Sequence, residues 1–196
     1  MTRHRLLTPA DYRRMPWKNG GGRTTEIASH PPDAGFNAFL WRISVAEVRK
    51  DGPFSAFPGV ERTLVLLDGA GMRLAGDGVD IEILARYEPY AFAGESMPVC
   101  TLLGGPVRDF NLMLRRGAAR GELAVARGET HVLSPARYQL CYVVAGSSEC
   151  LVAGHPPIAV AQDCALIVEA TDPRAMHVNP RAADAVAIVA TIDVDA

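Results

Sequence analysis

The chain has 196 residues, 48% of them apolar, with 20 basic side chains against 22 acidic ones. That length and apolar share supply a sizeable core and exclude an intrinsically disordered chain. A formal net charge of −2 excludes a globally basic nucleic-acid binder, which needs an excess of Lys and Arg to neutralise phosphates.

The first ten residues carry basic side chains but no apolar run of secretory-signal length. A turn of helix is expected where Thr8-Pro9-Ala10-Asp11 follows them. Strand signals then dominate, as short β-rich or alternating runs bounded by Gly, Pro, Asn or Asp. They predict strands at 24–28, 38–48, 62–67, 71–75, 79–84, 99–103, 107–115, 123–125, 138–145, 149–153, 157–160, 164–169 and 186–192. A second short helix is expected at 180–185. About a dozen short strands closely spaced indicate an antiparallel sandwich or barrel, because parallel strands need long crossovers. The stretch 116–137 is poor in strand signal and reads as a link between two halves. Each half carries an apolar strand running into glycine, Leu64-Val-Leu-Leu-Asp-Gly69 and Tyr142-Val-Val-Ala-Gly146, which suggests an internal duplication.

The longest apolar stretches, near 63–67 and 185–192, fall far short of the ~20 residues a membrane helix needs. Cys100, Cys141, Cys150 and Cys164 form no C-x-x-C pair and read as reduced thiols, three of them in apolar or strand-like surroundings. A cytoplasmic protein with no membrane partner is expected. The five histidines, His4, His30, His131, His155 and His177, stand at least 22 residues apart, and no H-x-H or Cys/His pair seeds a metal site. No Gly-x-Ser-x-Gly elbow offers a serine nucleophile.

Two features carry chemistry. In Met15-Pro-Trp-Lys-Asn-Gly-Gly-Gly-Arg23, three glycines flanked by Lys18 and Arg23 form either a cradle for a carboxylate or phosphate, or a plain hairpin turn. The second is polar residues at alternate positions of apolar strands: Thr24 and Glu26, Arg42 and Ser44, Asp109 and Asn111, with Arg62 opening the apolar strand Thr63–Leu67. Those faces either line a barrel lumen, where buried charges must pair or bind something, or form the wet side of a sandwich.

Met15-Pro-Trp-Lys-Asn-Gly-Gly-Gly22 with Thr24 and Glu26, Trp41-Arg-Ile-Ser-Val-Ala46, Asp51-Gly-Pro-Phe-Ser-Ala-Phe-Pro-Gly59 with Arg62, and Asp109-Phe-Asn-Leu-Met113 together resemble the HutD/Ves family. The resemblance is specific over 15–115 and looser beyond. It implies an all-β protein of double-stranded β-helix (RmlC-like cupin) barrels, with two cupin lobes in one chain, at 1–116 and 117–196. It also implies association with histidine utilisation or stress response and no established enzymatic activity. Against the usual cupin metal motif, Arg62 takes the place of the ligand Glu, with six residues between it and Gly69. The histidine places read Ser55 and Phe57, or Ala56 and Pro58, and the histidine of the second motif reads Met97. A guanidinium in place of a metal-binding carboxylate predicts a lumen that prefers an anion, with no metal and no cofactor.

The expectation is therefore a non-enzymatic binder of a small carboxylate, such as urocanate or formylglutamate, acting as a sensor of histidine utilisation. Arg62 would clamp the carboxylate and Lys18 add a second positive charge. Asn19, Thr24, Ser55 and Asn111 would donate or accept neutral hydrogen bonds, Trp17 form a wall, and Glu26 and Asp109 hold Arg42 or Arg62 in place. The alternatives are a metal-independent isomerase or epimerase with Glu26 or Asp109 as base, and an interaction protein with a filled lumen. Open sheet edges make a homodimer the expected assembly.

Overall fold

The alternation of apolar and polar residues, cut every few positions by Gly or Pro, leaves the chain no route to helix. The computed structural model describes residues 2–17, 19–35 and 38–195, and every regular element among them is a β-strand. The chain divides into two units, Tyr12–Ala118 and a second made of Met1–Asp11 with Ala119–Ala196.

The Tyr12–Ala118 unit has two antiparallel sheets. The larger is built from β2 (Arg13–Pro16), β3 (Gly22–His30), β4 (Trp41–Val48), β6 (Val60–Asp68), β9 (Pro89–Ala93) and β11 (Val107–Arg115), in the order β2-β3-β4-β11-β6-β9. The smaller is built from β5 (Gly52–Pro53), β7 (Met72–Gly76), β8 (Val79–Ile83) and β10 (Val99–Leu102), in the order β5-β10-β7-β8. Leu64, Leu66, Met72, Leu74, Ile83, Phe92, Cys100 and Val107 fill the space between them at one end.

The other unit repeats this plan. Its strands are β1 (Thr2–Leu7), β12 (Ala119–Arg127), β13 (His131–Leu133), β14 (Tyr138–Ala145), β15 (Ser147–Leu151), β16 (Ile158–Ala161), β17 (Ala165–Ala170), β18 (Met176–Pro180) and β19 (Val186–Val194). The order β12-β19-β14-β17 matches β4-β11-β6-β9, and β13-β18-β15-β16 matches β5-β10-β7-β8. The two strands whose sequences suggested a duplication, β6 and β14, occupy equivalent places. Each ends at a glycine with positive φ, Gly69 at 104° and Gly146 at 68°. A Cβ on Gly69 would lie 2.7 Å from the Pro106 carbonyl oxygen, so that turn needs the glycine. The interior of this unit is filled by Leu133, Cys141, Val143, Cys150, Leu166, Val168, Met176 and Val189.

Three expectations are corrected. Residues 2–7 are not part of the unit that follows them: they pair antiparallel with Ala165–Ala170, with Arg3 opposite Glu169. The boundary expected at residue 1 therefore falls at Tyr12. The supposed link 116–137 contains β12, an edge strand that extends the one expected at 123–125, and the three-residue β13. Neither expected helix forms. Thr8–Asp11 is a turn closed by Asp11 N–H to Thr8 O and by Thr8 donating to the Asp11 carboxylate, and after β18 ends at Pro180 a turn is closed by Ala185 N–H to Ala182 O.

Candidate functional site

Cross-strand register assembles the polar residues of the larger sheet into three rows. One runs Thr24, Ala46, Asp109, Leu66; the next Glu26, Ser44, Asn111, Leu64; the third Ser29, Arg42, Met113, Arg62, Phe92. A bulge between Glu26 and Ala28 keeps Glu26 opposite Ser44 while moving Ser29 opposite Arg42. Where the rows leave the apolar end of the unit, they face a cavity of about 640 Å³. Its floor holds Arg42, Ser44, Arg62, Asp109, Asn111 and Met113, all buried. Trp17, Asn19, Ser55, Phe57 and Met97 stand at its more exposed rim.

The floor is charged and nearly dry. Arg42 is 2% exposed and its Nε donates to the Glu26 carboxylate, while its Nη1 lies 3.8 Å from Met113 Sδ. Arg62 is 5% exposed, with its Cζ 4.9 Å from the ring centre of Phe92, 5.3 Å from Phe54 and 5.5 Å from Phe57. Three ring faces thus surround the cation, a favourable contact where water is scarce. Arg62 Nη2 donates to Asn111 Oδ1 at 2.9 Å, Nη1 reaches the Ser55 carbonyl at 3.5 Å, and Nε has no partner. Burial lowers the guanidinium to about 10, against the pull of Asp109 and with a further push from Arg42. It remains a cation at neutral pH.

Asp109 is fully buried. Its Oδ1 accepts from Asn111 Nδ2, and its Oδ2 has no partner. Burial pushes this carboxyl up from 3.8 to about 7, outweighing the attraction of Arg62 and the Asn111 hydrogen bond. Asp109 therefore reaches Arg62 through Asn111, not by a direct ion pair.

Of the ten residues expected at the site, Trp17, Asn19, Thr24, Arg42, Ser55, Arg62, Asp109 and Asn111 line this one cavity. Glu26 lies behind Arg42 as its ion-pair partner, and Lys18 is outside the described residues. Trp17 Nε1 donates to Thr24 Oγ1 at 2.9 Å, which fixes the indole against the wall. Ser55 faces Arg62 with its carbonyl. Sequence reasoning missed Phe54, Phe57 and Met113, apolar residues whose role is to hold the guanidiniums. It had placed Phe57 and Met97 only as lost metal positions. In the triple glycine, Gly20 N–H is taken by Trp17 O and Gly21 N–H by Asn19 Oδ1, and Arg23 is paired with Glu47, which favours the plain hairpin turn over an anion cradle. It is the turn that joins β2 to β3.

The HutD family model matches residues 9–188. The chain belongs to the HutD family. A 21.2 kDa protein of the hutC 3′ region of Pseudomonas putida is 40% identical over 154 residues, covering 79% of this chain and 80% of that protein. Protein Ves of Cronobacter sakazakii is 39% identical over 141 residues, 70% of this chain and 76% of the relative. HutD from Pseudomonas fluorescens SBW25 superposes with a TM-score of 0.85 at 30% identity, over 99% of this chain and all of that one. More distant folds, protein YlbA of E. coli at TM-score 0.70 and 11% identity and the oxalate decarboxylase of Lactobacillus farciminis at 0.66 and 6%, mark the architecture as a cupin β-fold.

Many cupins hold a metal, and the E. coli pirin of this fold was solved with nickel(II). The residues of this HutD-family cavity do not fit one. Ser55, Phe57, Arg62 and Met97 all line the cavity, and they offer a hydroxyl, a phenyl ring, a cation and a thioether. No histidine lines it, and among the described residues no three His, Cys, Asp or Glu side chains cluster as a metal site. His4 and His155 meet edge to face at 4.6 Å, but in the other unit.

Proposed function

We propose that this HutD-family chain is a two-lobed cupin whose first lobe binds a small carboxylate, an intermediate of histidine degradation such as urocanate or formylglutamate, and so senses histidine utilisation. One observation carries the reading. Arg62 is a buried cation on a cavity wall, with a free Nε–H and no carboxylate paired to it directly. A buried guanidinium is costly unless an anion completes its hydrogen bonds, and its planar fork matches a carboxylate. Trp17 and Phe57 give a flat ligand two aromatic walls, and Asn19 and Thr24 supply neutral polar contacts. Lys18, between Trp17 and Asn19 in the sequence, adds a second positive charge. A sensor of this kind works in the cytoplasm, and open sheet edges suit a homodimer.

Isothermal titration of the protein with urocanate, N-formylglutamate, glutamate and formate tests this. Saturable heat from at least one is expected, and none from any of them removes the reading.

A second reading has one observation in its favour. Asp109 is not locked to an arginine and titrates near neutrality, as a general base for a metal-independent isomerase or epimerase must. Glu26 is unsuited to that task, since Arg42 occupies its carboxylate. Conversion of a bound carboxylate, followed by proton NMR in deuterated water, separates enzyme from sensor.

A further inference from the structure

The hydrogen-bond polarity of the cavity floor determines which atom of Asp109 can carry a proton. A guanidinium only donates, so Arg62 Nη2 requires the oxygen of Asn111 to face it. The amide nitrogen of Asn111 is then turned to Asp109, and Asp109 Oδ1 must accept from it. Any proton on Asp109 sits on Oδ2, the oxygen with no partner. Two buried donors are then without acceptors, Asp109 Oδ2–H and Arg62 Nε–H, on residues that line one cavity.

The charges agree. On the strands flanking Asp109 stand Arg42 on β4, neutralised by Glu26 on β3, and Arg62 on β6. Across the barrel, Cys100 on β10 is pushed by burial to about 12 and stays a neutral thiol; Asp51, which also acts on it, caps the Leu102 N–H. The segment Pro53–Phe57 brings no titratable group. With Asp109 ionised, Arg42, Glu26, Arg62 and Asp109 sum to zero and an incoming anion meets a bare carboxylate. With Asp109 neutral they carry one net positive charge and two donors.

We infer that Asp109 serves as a carboxylic acid in the ligand-bound state, so that the cavity takes up a monocarboxylate anion together with a proton. This rests on the carboxylate-binding reading above and adds a specificity: ligands with acceptor-only headgroups are favoured over amines or other donors at this point, and Asp109 is a binding residue instead of a brace for Arg62. Because burial already holds the Asp109 carboxyl near 7, a neighbouring anion moves it higher. Affinity is then flat below about pH 6 and falls about tenfold per pH unit well above 7.

The test uses the full chain labelled with 13C at aspartate carboxyl carbons, titrated from pH 5 to 9 with and without sodium formate, the smallest carboxylate. One carboxyl is expected to titrate near neutrality, far above the rest, and to vanish in Asp109→Asn. Saturating formate is expected to raise its midpoint by one pH unit or more, with formate affinity tenfold or more weaker at pH 9 than at pH 6. The Asp109→Asn protein, with an amide donor in place of Oδ2–H, is expected to bind formate without that pH dependence. A midpoint that stays put or falls on formate binding, or equal affinity at pH 6 and pH 9, overturns the inference and leaves the carboxylate reading standing. Formate that binds at no pH overturns this inference, and the carboxylate reading falls with it only when urocanate, N-formylglutamate and glutamate give no heat either.

Discussion

Replacing Asp109 with asparagine isolates what one buried carboxyl does to stability. The side chain keeps its shape, Oδ1 still accepts from Asn111 Nδ2, and only the ability to ionise is lost. In the unfolded chain this group titrates at its ordinary 3.8; in the fold, burial holds it near 7. Between those values the folded protein binds more protons than the unfolded one, so stability falls as pH rises from about 4 to about 7 and is flat beyond. At about 1.4 kcal/mol per tenfold change in proton affinity, the full interval corresponds to roughly 4 kcal/mol, of which roughly 3 kcal/mol lies between pH 5 and pH 8. Asparagine has no such slope. The melting temperature of Asp109→Asn minus that of the wild type should therefore rise by about 6–12 °C from pH 5 to pH 8, at about 2–4 °C per kcal/mol for a chain of this size. Scanning calorimetry of both proteins at pH 5, 6, 7 and 8 measures it, and every other titrating group cancels in the difference. A difference that is the same at pH 5 and pH 8 would show that Asp109 is ionised throughout and that its desolvation is met by Arg62 and Asn111.

Arg62→Met keeps the volume within the Phe54, Phe57 and Phe92 rings and removes the charge; carboxylate binding should weaken at least 100-fold by titration calorimetry, and the Asp109 carboxyl should titrate higher still. Arg62→Lys, which restores charge without the planar fork, should recover only part of it. Glu26→Gln leaves Arg42 buried without its counter-ion and should cost about 3–5 kcal/mol in urea unfolding, whereas adding Arg42→Met should restore much of that loss. Gly22→Ala places a Cβ 2.2 Å from the Glu47 carbonyl oxygen, so the β3–β4 ladder must open there. Its expected signature is faster amide exchange at Thr24 and Ala46, with carboxylate binding weakened through the displaced Trp17 and Thr24.

Alternation and punctuation in the chain determined a great deal. They placed β11 and β14 at their observed bounds and most other strands within a few residues. Strands buried on both faces or on one face announce themselves, because burial dictates residue type at every position or every second one. Polar residues interrupting β3, β4, β6 and β11 were visible for the same reason, and most of the site was legible from them. What escaped lacks that signature. The strand Thr2–Leu7 is almost wholly exposed, so nothing in Thr-Arg-His-Arg-Leu-Leu shows that it crosses to β17. The triple glycine advertised backbone freedom, while two of its three N–H groups are used by Trp17 and Asn19. Only the tertiary structure decided that Arg42 and Arg62 stand on either side of Met113 in one row, and that three aromatic rings close around Arg62. It alone decided that Asn111, not a direct ion pair, joins Arg62 to Asp109. Each of these depends on register between strands far apart in sequence, and register is a property of pairing that no single strand contains.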